Sequence, residues 1–440
     1  MINTIEIKNF KSALDLSLEL GRVNVFIGEN GSGKSTVLEA LTMAGAAESN
    51  KLDTEFLELR GIRVTEPKFM YSAFKEMNES EKIEITLFKK MQNMCQRRFQ
   101  LRNDFKIYSS WNCEIDFLVQ ESSGKYVSTS DFESGFLSLI DSINERRMRL
   151  EKYSKQFSEL LDRIKEVNNS EKDPELNLEF LDNIDSIQKE NKALQQLELE
   201  VQNIKFRLSN VSEKSQVLFE DIKRFVIYSP QNEQLRDVVK DSKLQPIGIY
   251  GEGLFKLLQV IKEEQPEAME DVYKGLKLFG WYQSIDLPTD HSFVDDELKI
   301  KDKYLLDTFS LKSTNEGFLY VLFYMALIVS KDTPKIFAVD NVDSALNPKL
   351  CSKIICLLTD LAKKYKKQIF LTTHNPALID GINLHDEDQK LYVISRNKFG
   401  HTKAKQITAD KKPKDSETGE PMRLSEAFLR GYLGGLPKGF

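Results

Sequence analysis

The fold of this chain is decided by one stretch near its start, Val23-Asn24-Val25-Phe26-Ile27-Gly28-Glu29-Asn30-Gly31-Ser32-Gly33-Lys34-Ser35-Thr36. Its first five residues predict a buried strand. The rest fits the pattern G-x-x-x-x-G-K-[ST] at every fixed position, and a helix is predicted to follow over residues 37–47. Glycines at this spacing let backbone N–H groups face inward around an anion, and the dipole of the following helix adds partial positive charge. We therefore predict a phosphate-binding loop.

This loop predicts ATP and Mg²⁺ as cofactors. Lys34 would reach the β- and γ-phosphates, and the Ser35 hydroxyl would bind Mg²⁺. The rest of the loop would surround the phosphates. The predicted nucleotide-binding residues of the loop are Asn30, Gly31, Ser32, Gly33, Lys34, Ser35 and Thr36.

Length and hydropathy limit what else the chain can be. Its 440 residues are enough for two or three lobes with a core of their own. No apolar run reaches the roughly 18 residues that would span a bilayer. The start of the chain also lacks a basic region followed by an apolar one. We therefore expect a cytoplasmic protein with no membrane partner.

Net charge and the spacing of cysteines and histidines limit which metals, disulfides and partners the chain can have. The four cysteines form no C-x-x-C pair and the four histidines show no zinc spacing, so we expect neither a disulfide nor a structural metal. The net charge of −6 argues against wholesale coating of nucleic acid, although local basic patches leave a nucleic-acid partner open. One such patch is the run Lys363 to Lys367, which is also typical of the solvated last turn of a helix.

Residues 1–132 are predicted to form the first half of an α/β head. Alternating apolar residues over 2–7 and 14–20, with a turn between them, predict an edge hairpin that leads into the loop strand. Further alternating runs at 83–87, 105–108 and 114–119 predict an antiparallel meander beside it.

Composition changes sharply after Phe132, and residues 133–222 are predicted to form a helical arm inserted into the head. Glycine and proline almost disappear, and residues 168–174 predict a turn. Apolar residues recur at steps of three and four on both sides of the turn, at Leu150, Tyr153, Phe157, Leu160, Leu161 and Ile164 and at Leu194, Leu197, Val201, Ile204, Leu208 and Val211. The pattern predicts an antiparallel coiled coil. The alternative is a pair of ordinary core helices, with residues 176–187 as a separate short helix.

Residues 223–440 are predicted to complete the head. Apolar runs predict strands over 224–228, 336–340 and 368–373, a helical lobe over 253–278, a polar hairpin near 285–303 and a helix over 348–367. Strand, helix, strand in this order predicts a parallel sheet, which must also contain the distant loop strand. Asp340 closes one strand, where its carboxylate would hold Mg²⁺ beside the loop. The apolar residues of 424–437 are predicted to pack on the head or to bind a partner.

With these motifs in place, the chain resembles ATPases of the ABC and SMC superfamily. Within that superfamily it resembles the stand-alone bacterial group that includes OLD-family ATPases and the ATPase subunits PtuA and AriA of anti-phage defence systems. The resemblance rests on the segments Ile7–Ser12, Gly28–Ser35 (Walker A), Ile336–Asp340 (Walker B), Asp343–Pro348 (D-loop) and His374 (switch histidine). It implies an ABC-type ATPase head with a mixed sheet, a β meander, a helical lobe and the inserted coiled-coil arm.

The same resemblance implies further site residues. Lys11, in the opening segment, would contact the nucleotide. The segment Ser313-Thr314-Asn315-Glu316-Gly317-Phe318 looks like a degenerate signature motif, whose Ser313 and Gly317 would bind the γ-phosphate of the opposite protomer. Gln231 is the best candidate for a metal-binding Q-loop glutamine, with Gln92 and Gln120 as competitors.

One position departs from the pattern of these ATPases. They usually follow the Walker B aspartate with a glutamate that polarises the attacking water, and this chain has Asn341 there. An amide cannot accept a proton at neutral pH, so Asn341 can orient water but cannot be the general base. We therefore expect slow or absent hydrolysis, unless Asp343 or His374 compensates. The alternative is that Asn341 is tolerated because positioning and charge stabilisation carry most of phosphoryl transfer.

Two functions follow from the resemblance. In the first, the chain is a nucleotide-gated ATPase that forms a dimer or larger ring and restrains a nuclease in phage defence. In the second, it is an SMC-like repair or chromosome ATPase whose arm clamps DNA. An arm of about 80 residues reaches only about 50 Å, which favours the first function. Few residues follow Asp340, so we expect the nuclease to be a separate chain.

Overall fold

The computed structural model describes residues 1–74, 82–90, 94–106, 110–120, 126–166, 174–237, 244, 246–287, 298–414 and 419–435. The chain divides into two compact units. The head unit comprises Met1–Ile115 and Phe219–Phe440, and the helical unit comprises Asp116–Leu218. The head is therefore discontinuous in sequence. The predicted domain boundaries after residues 132 and 222 stay predictions.

The head contains both strands and helices, whereas the helical unit is dominated by two long helices. The strands are β1 Thr4–Phe10, β2 Ala13–Glu19, β3 Val23–Ile27, β4 Ile83–Lys90, β5 Met94–Asn103, β6 Trp111–Gln120, β7 Tyr126–Ser128, β8 Ile227–Tyr228, β9 Tyr282–Asp286, β10 Lys299–Asp302, β11 Phe309–Ser310, β12 Ile336–Val339, β13 Gln368–Thr373, β14 Gln389–Arg396 and β15 Thr402–Ile407. The α-helices are α1 Lys34–Glu48, α2 Thr54–Glu58, α3 Thr129–Glu166, α4 Pro174–Phe219, α5 Asn232–Arg236, α6 Leu254–Glu264, α7 Pro266–Leu276, α8 Glu316–Val329, α9 Pro348–Lys364, α10 Pro376–Ile379 and α11 Leu424–Leu429.

The central sheet of the head has the order β15-β14-β3-β13-β12-β8. Strand β3 lies between β13 and β14 and is parallel to both, with Val23 opposite Ile369 on one side and Gln389 on the other. Every residue of β3, β12 and β13 is buried, as expected for parallel strands covered on both faces. The predicted α/β class with a mixed sheet is confirmed. The loop strand and the C-terminal strands form one sheet, as predicted.

A second sheet contains the strands of the N-terminal half. Strands β1 and β2 form the predicted hairpin, and β4 and β5 extend it in the order β2-β1-β4-β5. The predicted strand at 105–108 is wrong for the residues described there, because β5 ends at Asn103 and Phe105 has a φ of 53°. The strand lies earlier, where Cys95, Phe99 and Leu101 alternate as buried residues. Long polar side chains between them hid this alternation. Residues 107–109 lie outside the described part.

The helical lobe lies where it was predicted and consists of helices α6 and α7. Pro266 begins α7 directly after α6, since proline is tolerated in the first turn of a helix but not in its interior. Both helices contact α8, in which every residue from Gly317 to Val329 is buried. The predicted polar hairpin is part of a three-stranded sheet of order β11-β10-β9, and residues 288–297 lie outside the described part.

The helical unit contains α3 of 38 residues and α4 of 46 residues. Ion pairs link the two helices, with Arg146 at 2.6 Å from Glu190 and Arg147 at 3.0 Å from Glu198. The suggestion of a separate short helix over 176–187 is wrong, since α4 is continuous through it. The predicted turn covers residues 168–174, of which 168–173 lie outside the described part and Pro174 begins α4. That the two helices form a coiled coil stays a prediction.

Three lysines of the basic run at the end of α9 form ion pairs or hydrogen bonds with other parts of the head. Lys363 pairs with Asp386 at 2.6 Å, and Lys364 pairs with Asp271. Lys367 is buried and donates to the carbonyl oxygens of Ser330 and Thr333, so the prediction of a solvated turn is wrong for this residue.

The C-terminal segment packs on the head. Leu424, Ala427, Phe428 and Leu433 are buried, which agrees with the predicted packing, although Leu429 is 64 % exposed. Residues 436–440 lie outside the described part. Within the described residues, no helix is both long and apolar enough to cross a membrane.

Candidate nucleotide-binding site

The carboxyl ends of β3, β12 and β13 meet at one edge of the central sheet and open onto a cavity of about 740 Å³. This volume lies within the range of about 300–1,000 Å³ that is usual for ligand pockets. We call it the P-loop cavity. The predicted site residues that line it are Lys11, Asn30, Gly31, Gly33, Lys34, Ser35, Thr36, Asp340, Asn341 and His374.

The loop from Gly28 to Gly33 owes its shape to two kinds of glycine. Gly33 has a φ of 104° and precedes α1 as its N-cap, a backbone conformation that favours glycine. Gly28 is required by close approach, since a Cβ there would lie 2.1 Å from the carbonyl oxygen of Ile394. Helix α1 has no side-chain cap and no acidic residue in its first turn. Its N-terminal N–H groups and dipole are thus available to an anion.

Lys34 is buried over the loop. Its Nζ donates to the carbonyl oxygens of Gly28 and Glu29, each at 3.0 Å. Burial lowers the pKa of the Lys34 ammonium, and the carboxylates of Asp340 and Asp343 oppose that shift. A phosphate oxygen would compete with neutral carbonyls for this ammonium and, being charged, would form the stronger hydrogen bond.

A hydroxyl and a carboxylate meet beside Lys34. The Ser35 hydroxyl donates to Asp340 Oδ2 at 3.4 Å, and Thr372 Oγ1 donates to the other oxygen, Oδ1, at 2.5 Å. Arg63 lies 3.9 Å from Oδ2. Among the described residues, no cluster of three or more histidine, cysteine or acidic side chains could hold a metal alone. Oxygen donors from two residues fit Mg²⁺, which usually keeps several waters and binds the phosphates of its substrate.

Asn341 and His374 complete the opening of the cavity. Asn341 has a φ of 56°, a conformation that asparagine tolerates better than most residues, and its N–H donates to Thr372 Oγ1 at 2.8 Å. Asp343 does not line the cavity but accepts a 3.3 Å hydrogen bond from the backbone N–H of His374. Burial, followed by the charge of Lys34, lowers the pKa of His374. Its imidazole is therefore neutral at pH 7.

Two residues predicted to contact the nucleotide have other surroundings. Lys11 lines the cavity, but its ammonium is 2.8 Å from the buried carboxylate of Glu39. Ser32 does not line the cavity, and its buried Oγ has no hydrogen-bond partner among the described residues.

The predicted signature residues and Q-loop glutamine lie away from the cavity lining. Gly317 lines a second pocket of about 610 Å³, which we call the signature pocket, together with Asn315 and Glu316. Ser313 ends a short 3₁₀ turn just before it. Gln231 is exposed at the start of α5 and lines neither pocket, and its competitor Gln92 lies outside the described part.

The structure adds cavity residues that the motifs did not indicate. Arg63 and Arg396 contribute charge, and three aromatic residues, Phe69, Tyr71 and Phe74, form part of the lining. Aromatic faces and guanidinium groups are the groups on which nucleobases stack. The only sequence indication was three aromatic residues within six positions, with no fixed spacing from the loop.

Known proteins similar to this chain include a protein family and several solved structures. Residues 23–380 match the family described as "AAA domain, putative AbiEii toxin, Type IV TA system". Similar solved structures include an SMC head domain from Thermotoga maritima, with 11% identity over 93% of this chain and 99% of that chain and a TM-score of 0.43. Another is the Smc head domain with an extended coiled coil, bound to the C-terminal domain of ScpA, from Pyrococcus furiosus. It has 14% identity over 93% of this chain and 97% of that one and a TM-score of 0.40.

No curated protein is similar enough to count as a relative. The family match begins at the strand that precedes the phosphate-binding loop and ends just after α10, so it includes the loop, Asp340 and His374. It covers well over half of the sequence. The chain therefore belongs to this AAA-domain family.

Proposed function

We propose that this chain is an ABC-type ATPase subunit of a bacterial anti-phage defence system, which binds Mg²⁺–ATP, self-associates around it and restrains a separate nuclease. The observation that carries the proposal is the P-loop cavity. There Lys34, Ser35 and Asp340 lie within reach of one another, next to an uncapped helix start. These are the groups that grip a triphosphate and its metal ion.

The residues would divide the work as follows. Bound Mg²⁺–ATP supplies the transferable phosphoryl group and its charge. Lys34 would exchange its two carbonyl acceptors for phosphate oxygens, and Ser35 and Asp340 would hold the metal. Asn341 would orient water without taking its proton, so turnover would be slow or absent. His374 is neutral and lines the cavity, and its imidazole can accept a proton.

Self-association would join two different faces. The signature pocket is formed at the N-terminal ends of α8 and α9 and includes Lys349 and Lys353. Helix starts and lysines attract phosphate. We infer that a second copy places this pocket over the P-loop cavity of the first, so that ATP closes the contact.

One observation favours the defence role. The description of the family names a toxin of a toxin–antitoxin system. In this role the nuclease would be a separate protein.

An SMC-like DNA clamp is the second candidate. It is favoured by the length of the two helices of the helical unit, since 38 and 46 residues correspond to about 57 and 69 Å. These lengths exceed the reach expected from the sequence. A clamp predicts turnover stimulated by DNA, whereas the defence role predicts a protein partner.

One experiment separates these functions. The chain is purified with its chromosomal neighbours co-expressed, and its mass is measured by mass photometry without nucleotide, with ADP and with ATP. We expect an ATP-dependent dimer or larger ring that contains a nuclease-type protein, and Lys34→Ala should remain in the nucleotide-free form. A solitary chain with DNA-stimulated ATP turnover would instead support the clamp.

A further inference from the structure

Thr402 lies behind the phosphate-binding loop, 366 residues after Thr36 in the sequence. It begins β15, pairs with Arg396 at the end of β14 and is completely buried. It does not line the P-loop cavity. No sequence motif includes it.

Its hydroxyl is bonded to the loop. Thr402 Oγ1 donates to the carbonyl oxygen of Ser32 at 2.9 Å and lies 2.8 Å from the hydroxyl of Ser12, which can donate in return. The Thr402 backbone N–H also donates to the Ser12 carbonyl oxygen at 2.7 Å. Ser12 in turn lies 3.4 Å from Thr36 Oγ1 on α1. A chain of hydroxyls thus runs from β15 through the β1–β2 turn to the start of α1.

The fit around Thr402 is close as well as polar. A Cβ at Gly33 would lie 2.2 Å from Thr402 Oγ1, closer than a Cβ approaches another atom, and 3.0 Å from Ser12 Oγ, a tight contact. Gly33 is therefore excluded from carrying a side chain both by its φ and by Thr402. The loop is shaped against this residue.

The hydrogen bond from Thr402 determines the direction of the Ser32–Gly33 peptide group. A trans peptide points its C=O and N–H in opposite directions. Because the Ser32 carbonyl points to Thr402, the N–H of Gly33 points away from Thr402, and Gly33 lines the cavity. Backbone N–H groups of such loops are the donors that bind phosphate.

We propose that Thr402 is a positioning residue for triphosphate binding. Its hydroxyl fixes the Ser32–Gly33 peptide with the N–H directed at the phosphates. This inference rests on the proposed nucleotide-binding function. It assigns a role in the site to the β14–β15 hairpin, which contributes no part of the Walker motifs.

The test compares Thr402→Val, which keeps the shape and removes the hydroxyl, with Thr402→Ser, which keeps the hydroxyl. Thr359→Val is the matched control, because Thr359 is also buried and its hydroxyl donates to the Ile355 carbonyl at 2.8 Å within α9. The dissociation constants for Mg²⁺–ATP and the thermal unfolding midpoints are measured for each. Loss of one hydrogen bond that orders the loop corresponds to about a tenfold weaker affinity.

We expect Thr402→Val to bind ATP about tenfold more weakly, Thr402→Ser to stay within about threefold of the wild type, and Thr359→Val to lose thermal stability without losing affinity. Equal affinities for Thr402→Val and the wild type, or an equal loss in Thr402→Ser, would overturn the inference. Should Thr402→Val not fold, Thr402→Cys replaces it, because a thiol is only a weak donor.

A second measurement needs no nucleotide. Hydrogen exchange of the amides of residues 28–36 should be about tenfold faster in Thr402→Val and unchanged in Thr359→Val. If the wild-type chain binds no ATP, the proposed function fails, and the exchange rates alone show whether the Thr402 hydroxyl orders the loop. Unchanged exchange in Thr402→Val would overturn that role of Thr402.

Discussion

The starts of helices α1 and α8 each face a pocket of the head, and they differ in how the chain treats their unsatisfied N–H groups. Helix α1, at the P-loop cavity, follows Gly33 without a side-chain cap and has no acid in its first turn. Helix α8, at the signature pocket, is capped by Asn315, which accepts from the Phe318 N–H at 2.8 Å. Its first residue, Glu316, carries a carboxylate that accepts from Asn232 at 2.7 Å.

This difference shows which pocket can bind an anion unaided. A helix start attracts phosphate only while its N–H groups and dipole are available. The chain leaves them available at α1 and adds Lys34. At α8 the Asn315 side chain accepts from one of these N–H groups, and the Glu316 carboxylate places a negative charge in the first turn. We therefore expect a single chain to bind ATP in the P-loop cavity alone, with the signature pocket contributing only when a second copy brings the nucleotide to it.

The strongest test of the comparison removes a lysine from each pocket. Lys34→Ala should weaken Mg²⁺–ATP binding about 100-fold, because charge-assisted hydrogen bonds to two phosphates are lost. Lys353→Ala, in the signature pocket, should stay within about twofold, as expected of an exposed lysine. Titration calorimetry at a protein concentration that keeps the chain monomeric measures both. Equal losses in the two variants would contradict the difference between the pockets.

The next test asks whether the P-loop cavity is limited by its missing base. Asn341→Glu and Asn341→Asp restore a carboxylate, and Asp tolerates the φ of 56° better than Glu does. We expect steady-state ATP turnover to rise about tenfold in at least one of them, which is below the roughly 100-fold that a well-placed general base contributes at least. If neither variant is faster than the wild type, the missing carboxylate does not limit turnover.

A third test makes the signature pocket resemble the P-loop cavity. Glu316→Gln removes the negative charge from the first turn of α8 and keeps an oxygen that Asn232 can donate to. ATP-dependent self-association should become about threefold tighter, since a charge at a helix start contributes about 0.3–1 kcal/mol. Glu267→Gln, in the first turn of α7, is the control and should have no effect. Weaker association of Glu316→Gln would show that its carboxylate is needed at the contact.

The parts of the site that could be predicted from the sequence are those with a local sequence pattern. The loop, Asp340 and His374 were found because strand, glycine and helix patterns are local, and because strands of like pattern must share a sheet. Their meeting in one cavity follows from parallel strands ending at one edge. For the signature pocket, the degenerate signature motif was the only indication of a function in the sequence.

Other parts of the site had no local pattern to reveal them. Thr402 and Ile394 shape the loop although they follow it by more than 360 residues in the sequence. Thr402 is a hydroxyl residue and Ile394 an apolar one, and both lie in ordinary strands. Arg63 and the aromatic lining come from a segment of irregular structure. The burial of Lys367 was missed because a basic run at a helix end is usually solvated. Such contacts depend on which distant segments pack together.

The smallest expected effect is a pH dependence of ATP affinity, which we attribute to His374 in the P-loop cavity. Burial and the nearby Lys34 lower the pKa of His374 below its ordinary value of 6.5 in the nucleotide-free chain. A bound triphosphate would raise that pKa, since an opposite charge favours the protonated form. Binding would then take up a proton in the interval between the two pKa values. ATP affinity should therefore increase as the pH falls through that interval.

The measurement compares wild-type chain with His374→Gln between pH 7.5 and 6.0, and both titrate the same ATP. We expect the wild type to gain about twofold more affinity than the variant over this range, because a bound anion favours the protonated form of His374. His385→Gln, which does not line the cavity, should behave as the wild type does. The sign decides the outcome. A larger gain in His374→Gln would mean that this imidazole gives up its proton when ATP binds, which an anion in the P-loop cavity cannot cause.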